Sequence, residues 1–282
     1  MLQSNRMRAL ALLVVLAGCG EALTPQSQVD KLRILAMRAD RPEVGPGETV
    51  NVAALWADPL GEGRDVWFVW AACTVGPGAD PRACDPEGDD VQLLGVGVGL
   101  DTVQVDVTED ALEGRDEAMV LVTVLMCADE LPDIEEGCPG ESVVAYKRIT
   151  VSSNPAPNQN PRISAVSIGG TVLDDRDVVR VPLCPTGDCP GYEISVLAEE
   201  GSAETYVGET PEGEAETDEE LLVSYFATGG QFSQVRSIDP ANADFRVAWR
   251  APKDTGPLTY WFVLRDDRGG ITWATREAEI VE

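Results

Sequence analysis

The sequence predicts an all-β protein built from two consecutive β-sandwiches. Two groups of seven short, valine-rich segments alternate with clusters of turn-forming residues, which is the spacing typical of sandwich strands. No stretch carries apolar residues at helical spacing over more than three turns. Residues 153–161 contain three prolines and no apolar run, so we expect a stiff, extended linker between the two groups.

The first eighteen residues have the three-part pattern of an export signal. Arg6 and Arg8 precede the apolar run ALALLVVLAG, which ends in small residues. This run is too short to cross a bilayer as a helix, because spanning takes about 20 apolar residues. We therefore expect residues 1–18 to be a cleaved signal peptide.

The residue that follows this run is a cysteine. The tetrapeptide Leu16-Ala17-Gly18-Cys19 resembles the lipobox of bacterial lipoproteins. That resemblance implies cleavage before Cys19, a diacylglycerol on its thiol and a fatty acid such as palmitate on its new amino terminus. Several acyl chains anchor a protein stably, so residues 19–29 would be a lipidated tether. Gly20 is not acidic, which favours the outer membrane; the alternative is an ordinary signal followed by a chance cysteine.

Charge and composition exclude several functions. The chain carries 21 Lys and Arg against 49 Asp and Glu, which gives a net charge of −28. Loss of the signal would remove two of the positive charges and make the chain more negative still. Nucleic-acid backbones are bound by Lys and Arg, so we expect no nucleic-acid partner. The absence of histidine excludes Ser-His-Asp and Cys-His catalysis and the usual catalytic zinc sites. No Walker sequence occurs either.

Six cysteines follow Cys19 and fall into three neighbouring pairs. An even number in an exported chain favours disulfides, and the residues between the members of each pair include Pro and Gly. We expect three local bridges, Cys73–Cys84, Cys127–Cys138 and Cys184–Cys189. A four-cysteine zinc site is the alternative, but the repeated C-x₂₋₄-C spacing typical of such sites is missing.

Residues 30–152 form the first predicted sandwich. The stretch RPEVGPGETVNVAA at 41–54 resembles the first turn and second strand of immunoglobulin-like modules on bacterial surface proteins. We assign Trp70 to the core, like the third-strand tryptophan of immunoglobulin domains. In that topology Cys73 and Cys127 would lie at opposite poles, so each would pair within its own loop.

Residues 162–282 form the second predicted sandwich. From LLVSYFATGG through WRAP to YWFVLRDDRGGITW, this part resembles the later strands of PKD-type or cadherin-like immunoglobulin folds. In those folds a turn with Asp and Gly joins the last two strands. The resemblance implies work as a stalk, spacer or adhesion module, with catalysis uncommon.

Two tryptophans and two acidic strings are the candidate ligand sites. Trp261 and Trp273 flank the RDDRGG turn and would form a platform for sugar rings if the strand register brought them together on an exposed face; packing is the favoured alternative, because tryptophan is mostly buried. Residues 85–91 and 208–220 are rich in carboxylates, but neither matches an EF-hand loop. We expect solvated loops, with 208–220 disordered, and no cofactor, with Ca²⁺ left open.

These patterns together predict a lipid-anchored protein of the cell envelope that is not an enzyme. It would act as a binding, adhesion or spacer module, held at the membrane by its lipid, with another envelope protein or a glycan as partner. One alternative is a glycan-binding accessory lipoprotein. The other is a glycosidase, which needs two carboxyl groups about 5 to 9.5 Å apart across a cleft.

Overall fold

The computed structural model describes residues 25–59, 61, 63–75, 84, 91–132, 137–210, 213–238 and 243–282. Every helix or strand assigned within these residues is a β-strand, so the all-β prediction is confirmed. The strands build two sandwiches, each with its own hydrophobic core.

The first sandwich consists of two sheets. Its strands in the described part of the chain are β1 (Arg33–Ala39), β2 (Glu43–Val44), β3 (Thr49–Ala57), β4 (Val66–Val75), β5 (Gln92–Val98), β6 (Thr102–Asp106), β7 (Glu117–Ala128) and β8 (Ser142–Ser152). One sheet has the order β1-β3-β6, and the other has the order β2-β8-β7-β4-β5. β2 runs parallel to β8, whereas the other pairs are antiparallel.

Strict alternation in β4 explains how the first core forms. Val66, Phe68 and Trp70 point inward and are buried, because successive strand residues face opposite sides of the sheet. Trp70 lies in the core, as the sequence predicts, and its indole N–H donates to the carbonyl of Leu100 at 2.7 Å. That hydrogen bond satisfies the one polar atom of a fully buried ring.

The second sandwich repeats this architecture. Its strands in the described residues are β9 (Ile163–Ile168), β10 (Thr171–Leu173), β11 (Val178–Pro182), β12 (Tyr192–Ala198), β13 (Thr205–Thr210), β14 (Gly213–Asp218), β15 (Leu222–Ala227), β16 (Gln231–Phe232), β17 (Arg236–Ile238), β18 (Asp244–Arg250), β19 (Gly256–Arg265) and β20 (Ile271–Val281). The sheets have the orders β10-β9-β12-β18-β16 and β11-β20-β19-β15-β17. A parallel β11–β20 pair matches the β2–β8 pair, so both units share the immunoglobulin-like arrangement.

The acidic segment 208–220 corrects one prediction. Instead of disorder, β13 and β14 form an antiparallel hairpin inserted between β12 and β15, with Thr205 paired to Asp218 at its base. The Thr205 hydroxyl donates to the Asp218 carboxylate at 2.6 Å, and the following residue, Glu219, is buried. Strand-forming Thr, Tyr and Val at 205–207 outweigh the acidic composition that suggested disorder.

Candidate functional site

The two sandwiches meet across an apolar junction. In β19, Tyr260 and Phe262 enter the second core, whereas Trp261 and Val263 face the opposite side and pack against β1 of the first sandwich. The cluster at this junction consists of Val29, Leu35, Ala36, Leu55, Ala57, Trp261 and Val263, with Phe226, Ile271 and Trp273 half-buried against it. The outer face of a sheet in the second sandwich is therefore covered by the first sandwich.

Trp261 and Trp273 belong to this junction. Trp261 is only 8% exposed, and Trp273 is half-buried with the guanidinium carbon of Arg38 4.5 Å from its ring centre. The strand register pairs Trp273 with Val263, which shares a face of β19 with Trp261. The rings of Trp261 and Trp273 therefore both lie on the covered face of β19 and β20. Neither ring is an open platform for a sugar; both pack between the two sandwiches, as the favoured interpretation of the sequence has it.

A polar cluster centred on Arg268 adjoins the apolar junction. The Arg268 guanidinium lies 3.3 Å from Glu43 of the first sandwich, 3.2 Å from Glu219 and 3.6 Å from Glu204. Its carbon also lies 4.7 Å from the ring centre of Tyr206 in β13. One cation in the β19–β20 turn thus joins the first sandwich to the inserted hairpin of the second.

The carboxyl group of Glu219 is the most perturbed acid of this cluster. Its side chain is 0% exposed, and burial raises the pKa of Glu219 to about 7, against the lowering effects of a hydrogen bond from the Glu204 backbone N–H and of Arg268. Because the neighbouring carboxylate of Asp266 raises this pKa further, Glu219 changes charge near neutral pH. The charge of the junction therefore depends on pH.

Asp266 and Lys147 face each other across the same junction. Burial raises the pKa of Asp266, although the backbone N–H groups of Arg268 and Gly270 donate to its Oδ1 at 2.9 and 2.7 Å. Burial lowers the pKa of Lys147 to about 8, and its ammonium group donates to the carbonyl of Gly269. Lys147 comes from β8, so a cation of the first sandwich binds the β19–β20 turn of the second sandwich, which itself carries Arg268.

The segment 153–161 is part of this junction and does not hold the sandwiches apart. Asn158 is buried, and its backbone N–H donates to Glu43 Oε2 at 2.8 Å. Asn160 donates to the carbonyls of Ala39 and Asp40, and its Oδ1 accepts from the backbone N–H of Ile271. The segment is therefore hydrogen-bonded to both sandwiches, whereas the sequence suggests an extended linker.

A cleft of about 890 Å³ opens beside the polar cluster. Its walls come from the first sandwich, the 153–161 segment and the hairpin, with Glu43, Glu117, Glu204 and Glu216 as the acids and Arg268 as the cation. Asn158, which is buried, also lines the cleft. Such a site attracts water or cationic groups.

The segment that precedes β1 also contributes to the junction. The Val29 N–H donates to the Ala227 carbonyl at 2.9 Å, and the Ala227 N–H donates to the Ser27 carbonyl at 2.9 Å. Residues 27–29 are thus hydrogen-bonded to β15 of the second sandwich before the chain enters β1 of the first. Cys19, the predicted lipidation site, lies outside the described residues, as do residues 85–90 of the first acidic string.

Each of the six remaining cysteines is paired with its sequence neighbour. The bridges are Cys73–Cys84, Cys127–Cys138 and Cys184–Cys189, with Cα–Cα distances of 5.7, 5.5 and 5.7 Å. Cys73 and Cys127 sit near opposite ends of β4 and β7, because Cys73 pairs with Leu121 whereas Cys127 pairs with Trp67. Six thiols are therefore engaged in disulfides.

In the described part of the chain, no group of three or more Cys, Asp or Glu side chains is placed so that it could hold a metal ion. No helix there is long and apolar enough to cross a membrane.

Sequence reasoning missed Arg268, Glu43, Asn158 and Lys147. Only Lys147 carried a local signal, because it occupies an inward position of β8 between Ala145 and Ile149. A lysine on the apolar side of an alternating strand indicates a buried partner.

No protein-family model matches the chain, and no characterised protein matches its sequence. Among solved structures, the D0-D1 domain of intimin overlaps 88% of this chain and 99% of its own length at 12% identity and a TM-score of 0.27. The Yersinia pseudotuberculosis adhesin InvE overlaps 86% of this chain and 58% of its own length at 12% identity and a TM-score of 0.25. Red sea bream transglutaminase overlaps 90% of this chain and 32% of its own length at 12% identity and a TM-score of 0.27. At such TM-scores these overlaps carry no inference about function.

Proposed function

We propose that this chain is a lipid-anchored protein of the bacterial cell envelope, at the outer membrane, that binds other molecules without catalysis. In this proposal residues 1–18 are the export signal and residues 19–29 are the tether, with the lipid on Cys19. The sandwich modules are residues 30–152 and 162–282, and residues 153–161 join them.

The observation that carries the proposal is the place where the tether meets the fold. Residues 27–29 are hydrogen-bonded to Ala227 within the junction. At about 3.3 Å per residue, the stretch from Cys19 to Ser27 reaches no more than about 26 Å. A lipid on Cys19 would hold the middle of the molecule near the membrane, with a sandwich on either side. That geometry favours a binding module lying close to the membrane over a stalk.

The chemistry of the side chains supports a non-catalytic role. The chain has no histidine, its six other cysteines are in disulfides, and Lys147 is buried in the junction. Glu219, whose pKa is near 7, is engaged with Arg268 and the backbone of Glu204. Among the described residues, Lys147 therefore bonds across the junction and Glu219 is paired within the second sandwich, so both groups have structural partners.

The anchor is tested by labelling cells with a tagged fatty acid. The wild-type chain is expected to take up the label and to sediment with membranes, whereas Cys19→Ala should lose the label and leave the membrane fraction. Gly20→Ala keeps the four-residue box and serves as the matched control, with label expected. Undiminished label in Cys19→Ala would contradict the proposal.

The absence of catalysis is tested with the purified full chain on ester, peptide and glycoside substrates. We expect no turnover above the rate without protein. Reproducible turnover that a single Asp→Asn or Glu→Gln substitution abolishes would contradict a non-catalytic role.

A further inference from the structure

Three loops of the second sandwich are bonded to one another at one of its ends. The Cys184 N–H donates to the Pro252 carbonyl at 2.8 Å, and the Arg250 guanidinium donates to the Gly187 carbonyl at 3.0 Å. Gln231 pairs with Arg250 between β16 and β18, which adds the third loop. We call this surface the tether-side end, and it consists of residues 183–191, 228–231 and 250–257, with Glu282 beside them.

The predicted tether leads to this end. Residues 27–29 are hydrogen-bonded to Ala227, which directly precedes the loop 228–231. Pro25 is the first residue that the structure describes, and it follows Cys19 by six positions. At about 3.3 Å per residue, those six positions reach no more than about 20 Å. A lipid on Cys19 would therefore hold the tether-side end next to the membrane.

Charge is distributed unevenly along the second sandwich. The tether-side end, with Glu282 included, carries three acids and two bases. The opposite end, residues 199–221 and 266–270, carries twelve acids and one base, and we call it the acidic end. β19 begins at the tether-side end and finishes at the acidic end, and its ten residues span about 33 Å. That distance is about four Debye lengths at physiological ionic strength.

A membrane that contains anionic lipids discriminates between these two ends. Its negative surface potential acts on charges within about one Debye length. The acidic end would be repelled there, whereas the tether-side end has almost no net charge. The first sandwich is acidic beside the junction, where Arg64 lies within 4 Å of Asp58, Asp129 and Glu141. The second sandwich therefore offers the more neutral surface within reach of the tether.

We propose that the tether-side end of the second sandwich lies against the lipid headgroups of an anionic membrane, with the acidic end pointing away. The surface is preformed, because the Cys184–Cys189 disulfide closes one loop and Pro185, Pro190 and Pro257 are exposed parts of these loops. The hairpin β13–β14 and the cleft beside it would then face away from the membrane, where a partner can reach them. This inference rests on the lipid at Cys19 in the proposed function.

Photo-crosslinking of the lipidated full chain in vesicles of phosphatidylethanolamine and phosphatidylglycerol tests this orientation. A photo-crosslinking amino acid replaces Thr255 at the tether-side end or, as the matched control, Ala215 in β14, and both positions are exposed. Mass spectrometry counts the phospholipid adducts. We expect at least about fivefold more adducts at position 255, the factor that one charge near an anionic surface is worth. Adducts at position 215 that equal or exceed those at position 255 would overturn the inference.

A pair of charge variants and a flotation assay complete the test. Gln231 is exposed at the tether-side end, so Gln231→Glu should lower the adduct yield at position 255 by up to about fivefold, whereas Gln231→Lys should not lower it. A fall of equal size in both variants would contradict the inference. A chain that floats with the vesicles yet gives no phospholipid adduct at position 255 would overturn this inference alone. A lipidated chain that does not float would contradict the proposed function and this inference with it.

Discussion

Removing the charge of Arg268 should weaken the junction in a manner that depends on pH. The guanidinium lies 3.3 Å from Glu43 and 3.2 Å from Glu219, and both carboxylates are buried. Arg268→Met keeps most of the aliphatic stem and leaves these carboxylates without their cation. Breaking a buried ion pair on one side typically costs about 3–5 kcal/mol, so we expect a loss of that size in the free energy of unfolding at pH 8.

The pH dependence follows from Glu219. Its pKa is raised to about 7, so the carboxyl group is charged at pH 8 and mostly protonated at pH 5.5. Arg268 lowers this pKa, so in Arg268→Met the pKa rises further and the buried group is neutral over more of the acidic range. The part of the stability penalty that is due to Glu219 is complete above the raised pKa of the variant, fades as pH falls from there to the wild-type pKa of about 7, and is absent well below it. We expect the cost of the substitution to be smaller at pH 5.5 by roughly 1–2 kcal/mol.

Urea unfolding followed by tryptophan fluorescence, at pH 5.5 and pH 8, measures this difference. Arg41→Met is the matched control, because Arg41 pairs with Glu48 at 2.7 Å but the two side chains are 41% and 45% exposed. An exposed pair is worth about 1 kcal/mol or less, so this variant should lose little stability at either pH. An equal loss for Arg268→Met at both pH values, or a loss no larger than that of Arg41→Met, would refute the reasoning.

Two further predictions concern the second core. Gly230→Ala should destabilise the protein by about 3 kcal/mol or more, because a Cβ there would lie 2.5 Å from a backbone oxygen and from an indole ring. Gly201→Ala is the control: it has the same φ of +77° but open space around it, so it should cost only about 1–2 kcal/mol of backbone strain. Equal losses of stability on thermal unfolding would contradict this prediction. Tyr260→Phe should be neutral or stabilising, because the buried hydroxyl has no partner in the described structure, whereas Tyr225→Phe should cost about 1 kcal/mol by losing its 2.8 Å hydrogen bond to Ser237. A larger loss for Tyr260→Phe than for Tyr225→Phe would contradict the assignment.

The sandwich architecture could be predicted because alternation is a local property. β4 and β18 bury every second side chain, and that pattern is readable from sequence alone. The disulfide partners are also close in sequence, 11, 11 and 5 residues apart, so spacing indicates them. Both features depend on neighbours along the chain.

The junction could not be predicted because its partners are distant in sequence. Arg268 reaches Glu43 across 225 residues, and nothing in the turn RDDRGG identifies that carboxylate. The run YWFVL in β19 is apolar on both faces, which does indicate burial on both sides. The run VWFVW in β4 has the same property, yet Trp67 and Val69 on its outer side are only half-buried in the described structure. The residue types therefore identify apolar sheet faces but do not show which part of the protein covers them.

The hydrogen bonds between residues 27–29 and Ala227 impose an order of events on chain folding. Val29 and Ala227 are separated by roughly 200 residues in the sequence, so their contact is among the most non-local in the molecule. β15 must exist before the N-terminal segment can attach to it, although that segment emerges first. The first sandwich has all its own strands before β15 is made. Residues 27–29 therefore make these hydrogen bonds only after more than three quarters of the chain has been synthesised.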